Sequence, residues 1–352
     1  MLKLRRGRVA SLESAGDRVT RLTVDLEDGG APRPAIAYPR LTGLVEVGDD
    51  VVVNIEAADL GLGSGGFDVV HCNLTRGLAG EGGAGHVMKL NYTSLQHSVQ
   101  PVEEGREEPP PAEGIPVAVV ALHGQLPCAA FALSVLASGA RAGYVQSSGG
   151  ALPGELSDSV AEMLERGLLA DHVTAGPAHG APAEAITVEG ALDAGRDLGW
   201  DCAFVGPGPG ILGSASALGH GGLAALGNAH AALALGSAVV LVPRLSSADE
   251  RDRHRGLSHH TDTVLRMLLR PVRVPVPEGL SLPASAALGR AVARGGHEGV
   301  GIDVSVLWDA YRSSGLPDRT MGRSMEEDRD FFLAGLAGGA LIAQLIQRKE
   351  QS

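Results

Sequence analysis

Between Asp249 and Thr261 the chain reads DERDRHRGLSHHT, which places Arg251, Arg253, His254, Arg255, His259 and His260 in one polar segment. Imidazoles exchange protons near neutral pH, and guanidinium groups clamp carboxylates and phosphates. The combination suits general acid–base chemistry on an anionic substrate. His259 or His260 would be the acid or base, and Arg253 or Arg255 would hold charge. The competing reading is a solvated charged loop with a helix cap near Ser258. A metal centre is the weaker expectation and none is assigned, because adjacent histidines diverge on a helix and no triplet has ligand-like spacing.

A second chemical signal is Asp201–His220, DCAFVGPGPGILGSASALGH. An apolar strand breaks at Gly206, Gly208, Gly210 and Gly213, and a small-residue helix is expected from about Ser214. Backbone N–H groups at such a turn face the positive end of the helix dipole, where an anion can sit. Ser214 and Ser216 would bond the anion or cap the helix. Gly208–Gly213, GPGILG, has the letters of the dinucleotide fingerprint. However, it comes late in its domain, and the next strand ends Val242-Pro243-Arg244 without the acid that holds a ribose. Dinucleotide, other anion and purely structural turn all stand as readings, and the cofactor is unknown. Ser147 and Ser148, in SSGG, are a further anion-binding candidate. His123 and Gln125 would complete a site. Cys128, near a helix start, is read as packing rather than as a nucleophile.

These residues need a frame. Residues 1–100 carry short Val/Leu/Ile segments, Arg8–Leu12, Arg18–Leu26, Leu41–Val45, Asp50–Ile55 and Val69–Leu74, separated by turn residues such as Gly61–Gly66. That pattern predicts a small barrel. A flexible loop is expected at Gly77–Gly85, and a last strand within His86–Gln96. The acidic, proline-rich stretch Pro101–Pro116 marks the boundary, giving a barrel-like domain over 1–104, a linker over 105–116 and an α/β domain over 117–352.

After the linker, continuous apolar runs such as VAVVAL alternate with helical segments. Strands are expected at Val117–Leu122, Ala140–Gln146, His172–Ala175, Ile186–Val188, Cys202–Val205, Ala238–Val242, Val272–Val276 and Gly299–Val304. The helix after Gly213 is expected over Ala215–Leu235. The fold class is therefore α/β: a doubly wound, mostly parallel, Rossmann-like sheet following a small β-barrel-like domain. In such sheets ligands bind outside the carboxyl ends of the strands, so His123-Gly124-Gln125, Ser147–Gly150, Gly176–Gly180, Gly206–Ser216 and Arg244–His260 should share one rim.

Composition narrows the partners. The chain has 352 residues, 44% hydrophobic and 3% aromatic, with a formal net charge of −12. Scarce aromatics and acidic balance argue against nucleic acid and anionic membrane as partners. Three cysteines without ligand spacing point to a reducing, cytoplasmic setting. The uncharged run between Asp201 and Arg244 is read as buried strand, helix and strand rather than a membrane span. The apolar stripe of the last helix, with Phe331, Leu336 and Ile342, needs the sheet or a second subunit as cover, and a homo-oligomer is expected.

Taken together, His86–Leu90, Gly206–Gly213, His254–Thr261 and Thr320–Leu333 resemble a family of uncharacterised bacterial proteins, domain of unknown function 3866. The resemblance runs over nearly the whole length and implies a single two-part protein in a bacterial cytoplasm. It brings no activity and no site residues. Enzyme, ligand-sensing module and structural oligomer all remain as functional readings.

Overall fold

The computed structural model describes residues 1–62, 65–80, 82–83, 85–108 and 113–350. The expected linker's Pro109–Ala112, part of the Gly61–Gly66 turn and Glu81 and Ala84 of the Gly77–Gly85 loop lie outside the described residues. The chain forms two compact units, Met1–Gln100 and Pro101–Ser352.

The first unit is a closed five-stranded barrel, in the order β1-β2-β3-β5-β4. Its strands are β1 (Leu4–Ser14), β2 (Thr20–Leu26), β3 (Arg33–Ala37), β4 (Asp50–Asn54) and β5 (Asp68–Asn73). Alternation along them turns Val9, Leu22, Val24, Val51, Val53 and Val70 inward. All pairings are antiparallel except β3 with β5.

Two expectations fail here. Leu41–Val45 is not a strand: Pro39 opens a single helical turn, α1 (Pro39–Thr42). The strand absent from the expected set is β3, which contains Pro34. A second turn, α2 (Glu56–Asp59), follows β4. Within His86–Gln96 only β6 (Val87–Lys89) is extended, and it pairs with β7 (His97–Val99). Leu90 and Tyr92 take positive φ in the turn between them.

The second unit is an eight-stranded, all-parallel sheet in the order β11-β10-β9-β12-β8-β13-β16-β17. The strands are β8 (Val117–Val120), β9 (Ala142–Ser147), β10 (Asp171–Ala175), β11 (Ala183–Ala185), β12 (Cys202–Pro207), β13 (Val239–Val242), β16 (Arg273–Pro277) and β17 (Glu298–Ile302). A two-stranded piece, β14 (Leu245–Ser246) with β15 (Gly256–Leu257), lies between β13 and β16 in the chain. The central strands β8, β9, β12 and β13 are buried at every position, as their unbroken apolar runs require.

Helices α3 (Leu126–Leu136), α4 (Asp158–Glu165), α9 (Ser305–Arg312) and α10 (Arg329–Glu350) cover one face. Helices α5 (Val188–Ala194), α6 (Ala224–Ala234), α7 (His259–Met267) and α8 (Leu282–Gly295) cover the other. Residues Pro101–Arg106 are tied to this unit, through Val102 N–H to Glu184 O and through Arg106 to Asp193 and Asp197.

Among the described residues one helix, α10, is long and apolar enough to span a membrane, and 83% of its apolar window is buried inside the protein. The chain covers it with its own sheet and with α3. Gly339 lies directly on Ala129, Gly335 on Cys128 and Gly338 on Val242, approaches that no larger residue permits. Cys128 is fully buried under it, and burial pushes its thiol up to about 12, so it is packing and not a nucleophile.

Candidate functional site

Of the loops expected at the carboxyl edge, the segments that follow β12 and β13 meet. β13 runs into Arg244, and β14, β15 and the segment between them carry the chain out and back to Ser258. Ser258 caps α7 by accepting the His260 backbone N–H. His259 and His260 are therefore the first two residues of the helix. β12 ends at Pro207, and no helix follows directly. Instead residues 212–221 fold into a hairpin-like flap: Ser214 N–H donates to Gly219 O, Gly221 N–H donates to Leu212 O, and Gly213 bridges His220. The turn at the flap's return delivers His220 to the head of α7.

Four histidines meet there. The His220 and His260 rings stack, with centroids 3.8 Å apart and planes within 9°. His259 lies 5.2 Å from His220 and 4.5 Å from His260. His254 closes the group, 5.0 Å from His259 and 4.8 Å from His260. Gly222 makes the stack possible, because a Cβ there would come within 3.0 Å of both His220 Nδ1 and His260 Nδ1. The expectation that adjacent histidines diverge therefore does not hold. At the N-terminal end of α7 the His259 and His260 rings turn toward the flap rather than around the helix.

All four imidazoles are driven toward the neutral form. Burial is the main cause, and neighbouring positive charge adds to it. His260 falls to about 2, through burial and then His220 and Arg244. His254 falls to about 3, through burial and then Arg244 and Arg251. His220 and His259 shift the same way. His220 Nε2 donates to Ala217 O at 3.0 Å, which leaves Nδ1 as a bare lone pair. His254 Nδ1 is engaged by Ser258 Oγ at 2.7 Å. Three buried ring nitrogens, His220 Nδ1, His259 Nε2 and His260 Nε2, have no hydrogen-bond partner.

Below the rings sits a charge knot. Arg244, 2% exposed, reaches His260 Nδ1 at 3.3 Å and Asp249 at 3.4 Å. Burial lowers its pKa to about 10, against the opposing pull of Asp249. Burial alone would raise Asp249, but hydrogen bonds and charge from Arg251 outweigh it and hold the carboxylate ionised. Arg323 approaches the same carboxylate at 3.8 Å and bonds Asp328 at 2.8 Å. Arg253 is exposed, and its charge is felt at His259. Arg255 is also exposed, donating to Asp249 O at 3.2 Å.

Residues 34–339 match the family described as Protein of unknown function (DUF3866). The chain belongs to the DUF3866 family. The match spans parts of both units and all four stretches on which the resemblance rests. Comparison with curated proteins and with solved structures returns no match.

Other expected site residues of this DUF3866 protein fall elsewhere. Gly206 and Gly208 are buried and packed on Val120 and on Ala151. Gly210 turns the chain with φ of 68°. Ser214 and Ser216 are exposed and serve the flap itself: Ser214 Oγ takes Ser216 N–H, and Ser216 Oγ takes those of Leu218 and Gly219. The helix expected from Ala215 begins only at Ala224, so no helix dipole meets the glycine turn. Of that turn, Gly213 alone borders the histidines, its Cβ direction pointing at His260 Cε1, 3.8 Å away.

Ser147 is buried, with Asn228 donating to its Oγ at 2.8 Å. Ser148 is half-buried beside it. Gln125 is fully committed to Leu122 N–H and Pro243 O. His123 bonds Ser157 Oγ at 2.7 Å and Pro207 O at 3.2 Å, and burial lowers it to about 4. These side chains tie loops together. The residues given no site role in advance are His220, hidden in an uncharged run, His254, and the buried pair Arg244–Asp249.

Proposed function

We propose that the carboxyl edge of the parallel sheet is the active site of an enzyme acting on a small anionic metabolite, phosphorylated or carboxylated. One observation carries the reading: three buried imidazole nitrogens face one another without partners, at the rim where doubly wound sheets hold ligands. Buried polar atoms left without partners cost stability unless the site uses them.

The surrounding charge indicates the substrate class. In a chain of net charge −12, this rim gathers Arg244, Arg251, Arg253, Arg255 and Arg323. Arg253 and Arg255 are exposed and could turn onto a carboxylate or phosphate, Arg255 by giving up its contacts to Asp249 O and Asp252. Arg244 stays beneath the rings, paired with Asp249, and its charge adds to burial in keeping the imidazoles unprotonated. His259, the one partly exposed imidazole of the facing three, presents the centre to the substrate. The unpaired cysteines support the reducing, cytoplasmic setting of the same reading.

The test is a thermal-shift screen of the intact protein against phosphorylated and carboxylated metabolites, followed by detection of product for each hit. At least one anion should raise the melting temperature and be turned over, and Arg253→Ala with Arg255→Ala should weaken its binding. No stabilisation by any anion refutes the anionic substrate. Stabilisation without turnover makes the protein a sensor instead.

A further inference from the structure

We propose that His220, His259 and His260 bind a divalent first-row transition ion of the zinc type, with the fourth coordination position left to a non-protein ligand. The proposal rests on the reading of this histidine group as the chemical centre, and it names what occupies it.

One ring nitrogen from each of the three lies within 4.8 Å of the other two. A tetrahedral ion with Zn–N bonds of about 2.1 Å spaces its ligand nitrogens by about 3.4 Å, so the set closes once the rings reorient. The ligands come from the 212–221 flap and the head of α7, which meet only in the folded protein. Two of the residues are nine-tenths or more buried, His220 at 7% and His260 at 3% exposure. The nitrogens without partners are His220 Nδ1, His259 Nε2 and His260 Nε2, one for each ligand. His220 is held in the required tautomer, because its Nε2–H is spent on Ala217 O. That bond is the backbone support which metal-bound imidazoles commonly receive.

An all-imidazole set selects zinc, cobalt, nickel or copper over magnesium and calcium, which prefer oxygen. Three protein ligands with the fourth place open is the arrangement of catalytic rather than structural zinc. Such an ion acidifies a bound water and polarises an anionic oxygen. The nearby guanidinium groups would then balance the charge of a bound carboxylate or phosphate.

Two movements accompany loading. In-plane lone pairs of parallel rings do not converge, so the His220–His260 stack must tilt open. Ligation through His260 Nε2 puts the ring proton on Nδ1, so the long contact from Arg244 must give way.

The experiment uses full-length protein stripped with a chelator and titrated with Co²⁺. The expected result is one ion per chain with the visible absorption of tetrahedral cobalt. Affinity should fall by more than about tenfold in His259→Ala and in His220→Ala, and should be unchanged in His230→Ala, which lies in α6. His259→Cys should restore binding with a sulfur-to-cobalt charge-transfer band, a readout that survives if the alanine variants unfold. Absence of cobalt uptake by the wild type, uptake equal in wild type and His259→Ala, or a His259→Cys protein without that band overturns the site. Phosphate or carboxylate stabilisation of the stripped protein, with no cobalt bound, sinks the metal alone and leaves the anionic substrate standing. Cobalt bound without any anion effect does the reverse.

Discussion

His220 and His260, from different loops, stack at 3.8 Å with nearly parallel planes. Two imidazolium ions cannot share that distance above a buried arginine, so the pair folds neutral. The folded pKa values lie below the unfolded value of 6.5: about 2 for His260, about 3 for His254 and about 4 for His123. The unfolded chain therefore binds more protons, and stability must fall with falling pH. The contribution is complete above pH 6.5 and is lost progressively as pH drops toward each folded value. Each such imidazole costs up to about 2 kcal/mol between pH 6.5 and 5. Thermal melts of chelator-stripped protein from pH 7 to 4 should show the loss, and a melting temperature that is flat or rises on acidification contradicts the buried neutral cluster.

Asp249 is the only carboxylate bonded to Arg244 among the described residues, and both are buried. Asp249→Asn keeps the shape but leaves Arg244 uncompensated, at a cost of about 3–5 kcal/mol. Arg251→Ala removes a partner that is 45% exposed and should cost no more than about 1 kcal/mol. Urea titration of both variants measures the difference. Equal losses would mean that solvent, not Asp249, compensates Arg244.

Two helical glycines should respond in opposite directions. Gly339 of α10 faces the Ala129 carbonyl so closely that a methyl collides with backbone. Gly339→Ala should destabilise by about 1–3 kcal/mol or more, since neither helix can yield without moving the core. Gly227 of α6 has open space around its Cβ position. Gly227→Ala should stabilise by about 1 kcal/mol through helix propensity alone. Paired denaturation curves decide it, and a destabilised Gly227→Ala would show that α6 packs against something further.

The parallel sheet was legible because its strands are buried on both sides and so read as unbroken apolar runs. The barrel was legible from short Val/Leu/Ile segments between turns. Its β3, RPAIA, carries only one large apolar residue and a proline and so lacks that signal, although a barrel strand tolerates proline where no ladder donor is needed. In the site, the loop with His259 and His260 announced itself by composition. His220 did not, because SASALGHGGLAALG has the small-residue texture of a helix. Its serines instead bond the backbone locally, which is the competition that keeps serine out of helix interiors. The convergence of adjacent histidines was not legible either. It depends on their standing at a capped helix start opposite a flap, a relationship between loops from different parts of the sequence.

The flap gives the last test. Ser214 and Ser216 accept three backbone N–H groups within residues 214–219, and this exposed segment has few other contacts. Replacing both serines by alanine leaves those donors to water and frees the hairpin that positions His220. Because the segment is exposed, global stability should change by less than about 1 kcal/mol. Amide hydrogen exchange at Ser216, Leu218 and Gly219 should accelerate, and cobalt affinity should weaken while His259 and His260 remain in place. If exchange accelerates but cobalt binds as tightly as before, His220 is held by Gly222 and the stacked His260 ring rather than by the flap. If exchange is unchanged, the serine hydroxyls do not hold the turn.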